Sequence, residues 1–261
     1  MHLRTEAEKI AHETTAVDPF VETARANGVD GICFTEHVYY FTQTRTLWTV
    51  PYQVERCRYD LDAYVGAVLQ ARNRGLPVKL GLEVDFVPGR EDETRALLAP
   101  YPWDFLLGSV HFIDGLGVDG APRLVDDVGV EETWRRYFET LMRAAQSGLF
   151  DSLAHPDLPK VFGDRVEVFD YAPVADAIAN GGVAVEVSTA GLRKPVGELY
   201  PHPEFLAACR DRGVPVTLAS DAHKPSLVGR DFDRARELLR AAGYETITVF
   251  ERREPRQEAI G

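Results

Sequence analysis

PVKLGLEVDF (residues 77–86) is a short apolar run, entered from a proline after Gly75, with the carboxylate of Glu83 set inside it. A run this short, rich in Val, Leu and Phe and bounded by turn residues, reads as a buried parallel strand. Six more runs have the same character: GVDGICFT (28–35), DFLLGSVHF (104–112), LFDSLAH (149–155), GVAVEVST (182–189), VPVTLAS (214–220) and TITVF (246–250). Helical patterns lie between them. DPFVETARANG (18–28) opens with Asp18 as the expected N-cap and Pro19 at the first helical position, and closes on Gly28. DLDAYVGAVLQARNRG (60–75) puts Leu61, Tyr64, Val65, Val68 and Leu69 on one face. VEETWRRYFETLMRAAQSG (130–148), PEFLAACRDRG (203–213) and FDRARELLRAAG (232–243) repeat the design. Strand and helix in alternation predict right-handed βαβ units and an α/β fold built on a parallel sheet.

The ionisable residues fall at one kind of place in these runs. Glu36 and His37 follow ICFT, Glu83 sits in LGLEVDF, and His111 ends GSVH. His155 ends SLAH, Glu186 sits in VEVST, and Asp221 and His223 close LASDAH. These are the C-terminal ends of the predicted strands, where α/β barrels build their active sites. A lone histidine at a strand end is more often a packed structural residue than a ligand. A whole series is different, because parallel strands gather such ends on one rim, where unpaired buried charge is strongly destabilising. Bound divalent metal removes that penalty. Imidazole and carboxylate donors without cysteine suit Zn²⁺, Mn²⁺ or Fe²⁺ better than Mg²⁺ or Ca²⁺. So many ligands predict two or more ions, with Glu83 bridging them.

Composition sets the outer limits. The 261 residues carry a net charge of −12, which disfavours a nucleic-acid partner. A hydrophobic content of 45% is enough for a sizeable core. Cys33, Cys57 and Cys209 are odd in number and lack paired short spacings, so reduced thiols in a cytoplasmic protein are expected. No apolar run is long enough to span a membrane, and MHLRTEAEKI lacks the pattern of a signal peptide. The aromatic segment 39–59 reads either as a lid over a site or as a loop packed on the barrel.

FTEH (34–37), GLEVDF (81–86), GSVHF (108–112), AHPDL (154–158), EVSTAGLRKP (186–195) and SDAH (220–223) occur in an order that resembles the polymerase and histidinol phosphatase (PHP) superfamily, in its histidinol-phosphatase branch. One such tetrapeptide says little; the ordered set covers essentially the whole chain. The resemblance implies a single metallohydrolase domain over residues 1–261, a distorted (β/α)7 TIM-like barrel. It implies two or three divalent ions (Zn, Mn or Fe) held by His2, His37, Glu83, His111, His155, Asp221 and His223. Arg193, and more weakly Lys194, would meet the substrate phosphate. The implied reaction is hydrolysis of L-histidinol phosphate, a step of histidine biosynthesis, by a metal-bridging hydroxide. Asp221 and His223 would relay a proton to the leaving group. No Cys-x5-Arg phosphatase motif occurs, which agrees with water as the nucleophile.

The family pattern opens with a strand ending in His-x-His. Here the sequence begins Met1-His2-Leu3-Arg4, so His2 matches the second histidine, the first has no counterpart, and most of the first strand is missing. Two readings stay open, a start placed between the two histidines or loss of one metal position; the intact remaining ligands favour the first. An open seam in the barrel is expected there. His12 is expected at the surface, and His202 at a cap or on the rim. Two rival functions remain: a related phosphoesterase with another substrate, and a silent metal-binding barrel acting as a binding or regulatory module.

Overall fold

The computed structural model describes residues 1–3 and 12–261. Residues 4–11, which hold most of the stretch read as lacking a leader, lie outside the described residues. The chain divides into two compact units.

The first unit comprises Met1–Leu107, Ser220–Asp231 and Phe250–Glu254. Its helices are α1 (Asp18–Ala26), α2 (Pro51–Arg56), α3 (Leu61–Asn73) and α4 (Glu91–Leu98), and its strands are β1 (Ile32–His37), β2 (Val78–Asp85) and the start of β3 (Phe105–Ser109). β1 and β2 pair in parallel with His37 opposite Glu83, so the register sets two expected ligands side by side. α3 begins where predicted: Asp60 caps it by accepting from the Asp62 N–H. Leu61, Tyr64, Val65 and Val68 are buried as the helical face requires, while Leu69 is only half-buried. α1 departs from expectation. The helix already includes Asp18, and its N-cap is Val17 without a side-chain cap bond. The Asp18 carboxylate instead pairs with Arg74.

The segment 39–59 forms short turns of helix whose Tyr39, Tyr40, Phe41, Leu47 and Trp48 are buried, as the packed-loop reading requires. At the N-terminus, the Thr35 N–H donates to Met1 O (2.7 Å) and the His2 N–H donates to Ala222 O (3.0 Å). Two residues thus bridge β1 and Ala222 where the open seam was expected, without forming an assigned strand.

The second unit comprises Gly108–Ala219, Phe232–Val249 and Pro255–Gly261. It holds the end of β3, a small antiparallel pair β4 (Phe112–Ile113) and β5 (Leu116–Gly117), helices α5 (Leu124–Val128) to α9 (Phe232–Ala241), and strands β6 (Ser152–Leu153), β7 (Ala184–Ser188) and β8 (Val216–Ala219). The long helices are α6 (Val130–Gln146), α7 (Ala172–Gly181) and α8 (Pro203–Asp211). Val187, Leu206, Val216, Ala235, Leu239 and Tyr244 make one apolar core between strands and helices. The order through the main sheet is β1-β2-β3-β6-β7-β8, six strands covered by helices.

The run TITVF does not join that sheet. It forms β9 (Thr246–Glu251), paired with β10 (Glu254–Ala259) in a separate hairpin. The two turn residues Arg252 and Arg253 both have positive φ, 51° and 66°, the left-handed pair that a tight hairpin demands. Asp104 explains how arginines come to hold it. Its Oδ1 accepts the Arg252 N–H (3.2 Å) and its backbone carbonyl accepts the Arg253 N–H (3.0 Å). Its Oδ2 accepts from the Leu80 N–H of β2 (2.9 Å) and from Arg72 (3.0 Å).

Because Asp104 is buried, removing its carboxylate leaves backbone donors without partners. Asp104→Ala should lower the unfolding free energy by about 3 kcal/mol. Denaturant titration with an unchanged slope would read this directly.

Candidate metal centre

In the first unit, the end of β1, the end of β2, the N-terminal residues and the turn after Ser220 deliver His37, Glu83, His2, Asp221 and His223 to one place. His2 Nε2 lies 3.1 Å from Asp221 Oδ1 and 3.4 Å from Glu83 Oε2. His37 Nδ1 lies 3.7 Å from Glu83 Oε2. The imidazole of His2 lies against those of His37 and His223, with centroids 4.4 and 4.1 Å away, and those two rings are themselves 5.9 Å apart. One ligand atom each from His2, His37 and His223 falls within a 4.8 Å span, as does one each from His2, Glu83 and Asp221.

Electrostatics shows what this geometry suits. Burial would push the His2 imidazole down, but hydrogen bonds to Asp221, Glu36 and Glu83 outweigh it and hold the ring up at about 10. Burial would likewise raise Asp221, yet the charges of His223 and His2 and the His2 hydrogen bond keep its carboxyl well below the usual range. The chain's own groups therefore hold positive charge between two buried carboxylates, the demand a divalent cation meets. Three imidazoles and two carboxylates converging on one point fit such an ion. Asp221 also has φ of 45°, a costly backbone state for a non-glycine residue that clusters at functional sites.

In the second unit, His111, two residues past β3, and His155, two residues past β6, set their ring centroids 5.1 Å apart. His155 has φ of 25° and Asp157 has φ of 68°. Glu186, on β7, accepts the His155 backbone N–H through Oε1 (3.1 Å), which steadies that turn. Arg193 is half-buried, its Nη1 donating to Thr189 O (3.2 Å), and Lys194 is exposed. His202 caps α8, its ring accepting from the Glu204 N–H. His12, in the first unit, is not a surface residue. Its ring packs against Phe41 and Tyr64, and burial lowers it to about 4.

Sequence reasoning missed an ion pair. Lys160 Nζ, fully buried, meets Asp157 Oδ2 at 2.9 Å and donates to Leu199 O at 2.8 Å. Asp157 Oδ2 also accepts the His202 N–H at 2.6 Å. The pair ties the turn carrying His155 to the segment after β7. Burial raises the Asp157 carboxyl to about 6, with Lys160 pulling the other way. The motif AHPDLPK carries the pair at i,i+3, but nothing in that spacing says the charges are buried.

The chain belongs to the PHP family: the model described as PHP domain matches residues 1–190. It is 36% identical to a probable histidinol-phosphatase of Deinococcus radiodurans, over 93% of each chain. It is 26% identical to a histidinol-phosphatase of Bacillus subtilis, over 82% of this chain and 89% of the relative. Its fold matches the crystal structure of a histidinol phosphate phosphatase of Lactococcus lactis complexed with zinc, L-histidinol and phosphate, with TM-score 0.73 and 22% identity over 92% of each chain. The architecture is therefore the PHP-type TIM-like one, with the six-stranded sheet found here.

Two outcomes follow. A histidine whose folded value is raised from 6.5 to about 10 contributes stability fully below pH 6.5, and loses it as pH rises towards 10. Chelator-stripped protein should therefore lose thermal stability across that window, and zinc binding at pH 8 should release about one proton per chain from His2, measured by calorimetry in two buffers. Lys160→Met should cost about 3–5 kcal/mol by stranding the Asp157 charge, and adding Asp157→Asn should recover part of it.

Proposed function

We propose that the chain is a metal-dependent phosphomonoesterase that hydrolyses L-histidinol phosphate to L-histidinol and phosphate. The carrying observation is the convergence of His2, His37, Glu83, Asp221 and His223, a donor set for divalent metal. Kinship to the Deinococcus radiodurans protein over nearly the whole chain supports the substrate, as does the L-histidinol and phosphate bound by the Lactococcus lactis structure. Those five residues, with His111 and His155, are the proposed ligands of two or three ions, Zn, Mn or Fe. The ions would activate a water and neutralise the phosphoryl oxygens.

The remaining roles fall to side chains of this chain. Arg193 would bind the phosphoryl group, with its Nη1 held by the Thr189 carbonyl. Lys194, exposed, would add only long-range attraction. His223, whose Nδ1 lies 3.1 Å from the Asp221 carbonyl, would with Asp221 carry the proton to the leaving alkoxide. A small phosphorylated substrate suits a chain of net charge −12 better than nucleic acid does. Residues 1–261 are taken as one catalytic domain, in keeping with relatives that align over nearly its whole length. The free thiols of Cys33, Cys57 and Cys209 support a reducing, cytoplasmic setting. Among the described residues no helix is long and apolar enough to cross a membrane.

Phosphate release from histidinol phosphate, from a panel of other phosphomonoesters and from single-stranded DNA tests this reading. Chelator-stripped protein should be silent, zinc or manganese should restore turnover, and histidinol phosphate should lead the panel. Arg193→Ala should cost about 100-fold in kcat/KM. A metal-loaded protein equally slow on every substrate would overturn the assignment.

A further inference from the structure

We propose that Glu36, which lies outside the expected ligand set, is a positioning residue that fixes the tautomer and direction of the His2 imidazole for metal binding. The inference rests on the metal reading above. Glu36 is fully buried at the end of β1, with its side chain facing the ring of His2. Its Oε1 accepts the His37 backbone N–H at 3.2 Å and lies 3.2 Å from His2 Nδ1. The residue itself is clamped, because its backbone N–H donates to Tyr64 Oη (3.4 Å), whose hydroxyl donates to Gly81 O of the neighbouring strand (2.8 Å).

An ionised carboxylate only accepts hydrogen bonds, so the nitrogen facing it must carry a hydrogen. That nitrogen is His2 Nδ1. In the neutral ring Nε2 then presents its lone pair, and Nε2 is the atom 3.1 Å from Asp221 Oδ1 and 3.4 Å from Glu83 Oε2. A lone pair facing two carboxylates is repulsive unless a cation lies among them. The opposite tautomer would set the Nδ1 lone pair against Glu36 and turn an N–H towards the metal. Ligating histidines generally donate their other N–H to a carboxylate or carbonyl, which orients the ring and raises its basicity. Glu36 supplies that acceptor from the residue next to the ligand His37, so one strand end provides both a ligand and the support for another.

Long-range proton–nitrogen correlation of the imidazoles in the zinc-loaded protein tests this, with the His2 signals identified by their loss in His2→Gln. The wild-type His2 ring should carry an exchange-protected Nδ1–H and bind zinc through Nε2. Glu36→Gln, whose carbonyl oxygen still accepts, should keep this tautomer. Glu36→Ala should lose the protected proton and weaken zinc binding by about 10–100-fold, with Glu36→Gln in between. Zinc on Nδ1 in the wild type overturns the proposal, and so does a folded Glu36→Ala that binds zinc as tightly as wild type. If the wild-type protein binds no zinc, the metal reading falls and this assignment falls with it.

Discussion

Burying carboxylates beside imidazoles at strand ends is the constraint from which the other features of the first unit follow. Glu36 and Glu83 are almost wholly withdrawn from water, and His2 lies against both. Withdrawing a carboxylate from water costs several kcal/mol unless charge or hydrogen bonds replace the lost solvation. The replacement is assembled from places far apart in the chain. The parallel register sets His37 against Glu83, while the backbone bonds of Met1 and His2 to Thr35 and Ala222 bring in His2. The left-handed turn at Asp221 aims its carboxylate at the same point. The costly backbone at Asp221 is tolerated because these charges satisfy one another.

A second buried charge arrangement serves the second unit differently. Asp157 and Lys160 join two segments through an ion pair, a carbonyl and a backbone N–H, all out of water. Such a pair adds little net stability over apolar residues of the same size, but losing one partner is severe. It is suited to holding a turn in one conformation, and the turn it holds carries His155 at an unfavourable φ of 25°. Glu186 works on the same turn from the β7 side. Rigid support of this kind lets strained residues persist.

Most of the architecture could be read from the sequence because the signals were local. Apolar runs bounded by turn residues gave β1, β2, β3, β7 and β8, and the apolar face of Leu61, Tyr64, Val65 and Val68 marked α3. The positions of His37, Glu83, His111 and His155 were legible because they lie at or near the C-terminal ends of β1, β2, β3 and β6, where the parallel pattern alone fixes direction. TITVF was misplaced because its hairpin turn is Arg252-Arg253, without the Asn or Gly that advertises left-handed backbone, and is held by the remote Asp104. Glu36 and Lys160 escaped for a related reason. Their roles depend on which atom faces which neighbour, and residue spacing carries no record of that. His12, next to residues outside the described chain, was misjudged because its burial comes from Phe41 and Tyr64, far along the sequence.

The hairpin has a further consequence. β10 is bonded to β9 alone in its sheet, and it is exposed along nearly its whole length. An exposed edge strand is a template onto which another chain could add a strand of its own. Glu254, Pro255, Arg256 and Glu258 occupy that strand, so an incoming chain would meet charges and a residue lacking an N–H. Among them, Arg256 and Glu258 pair with each other along the strand. Charged side chains and a proline on an exposed edge disfavour the addition of a further strand.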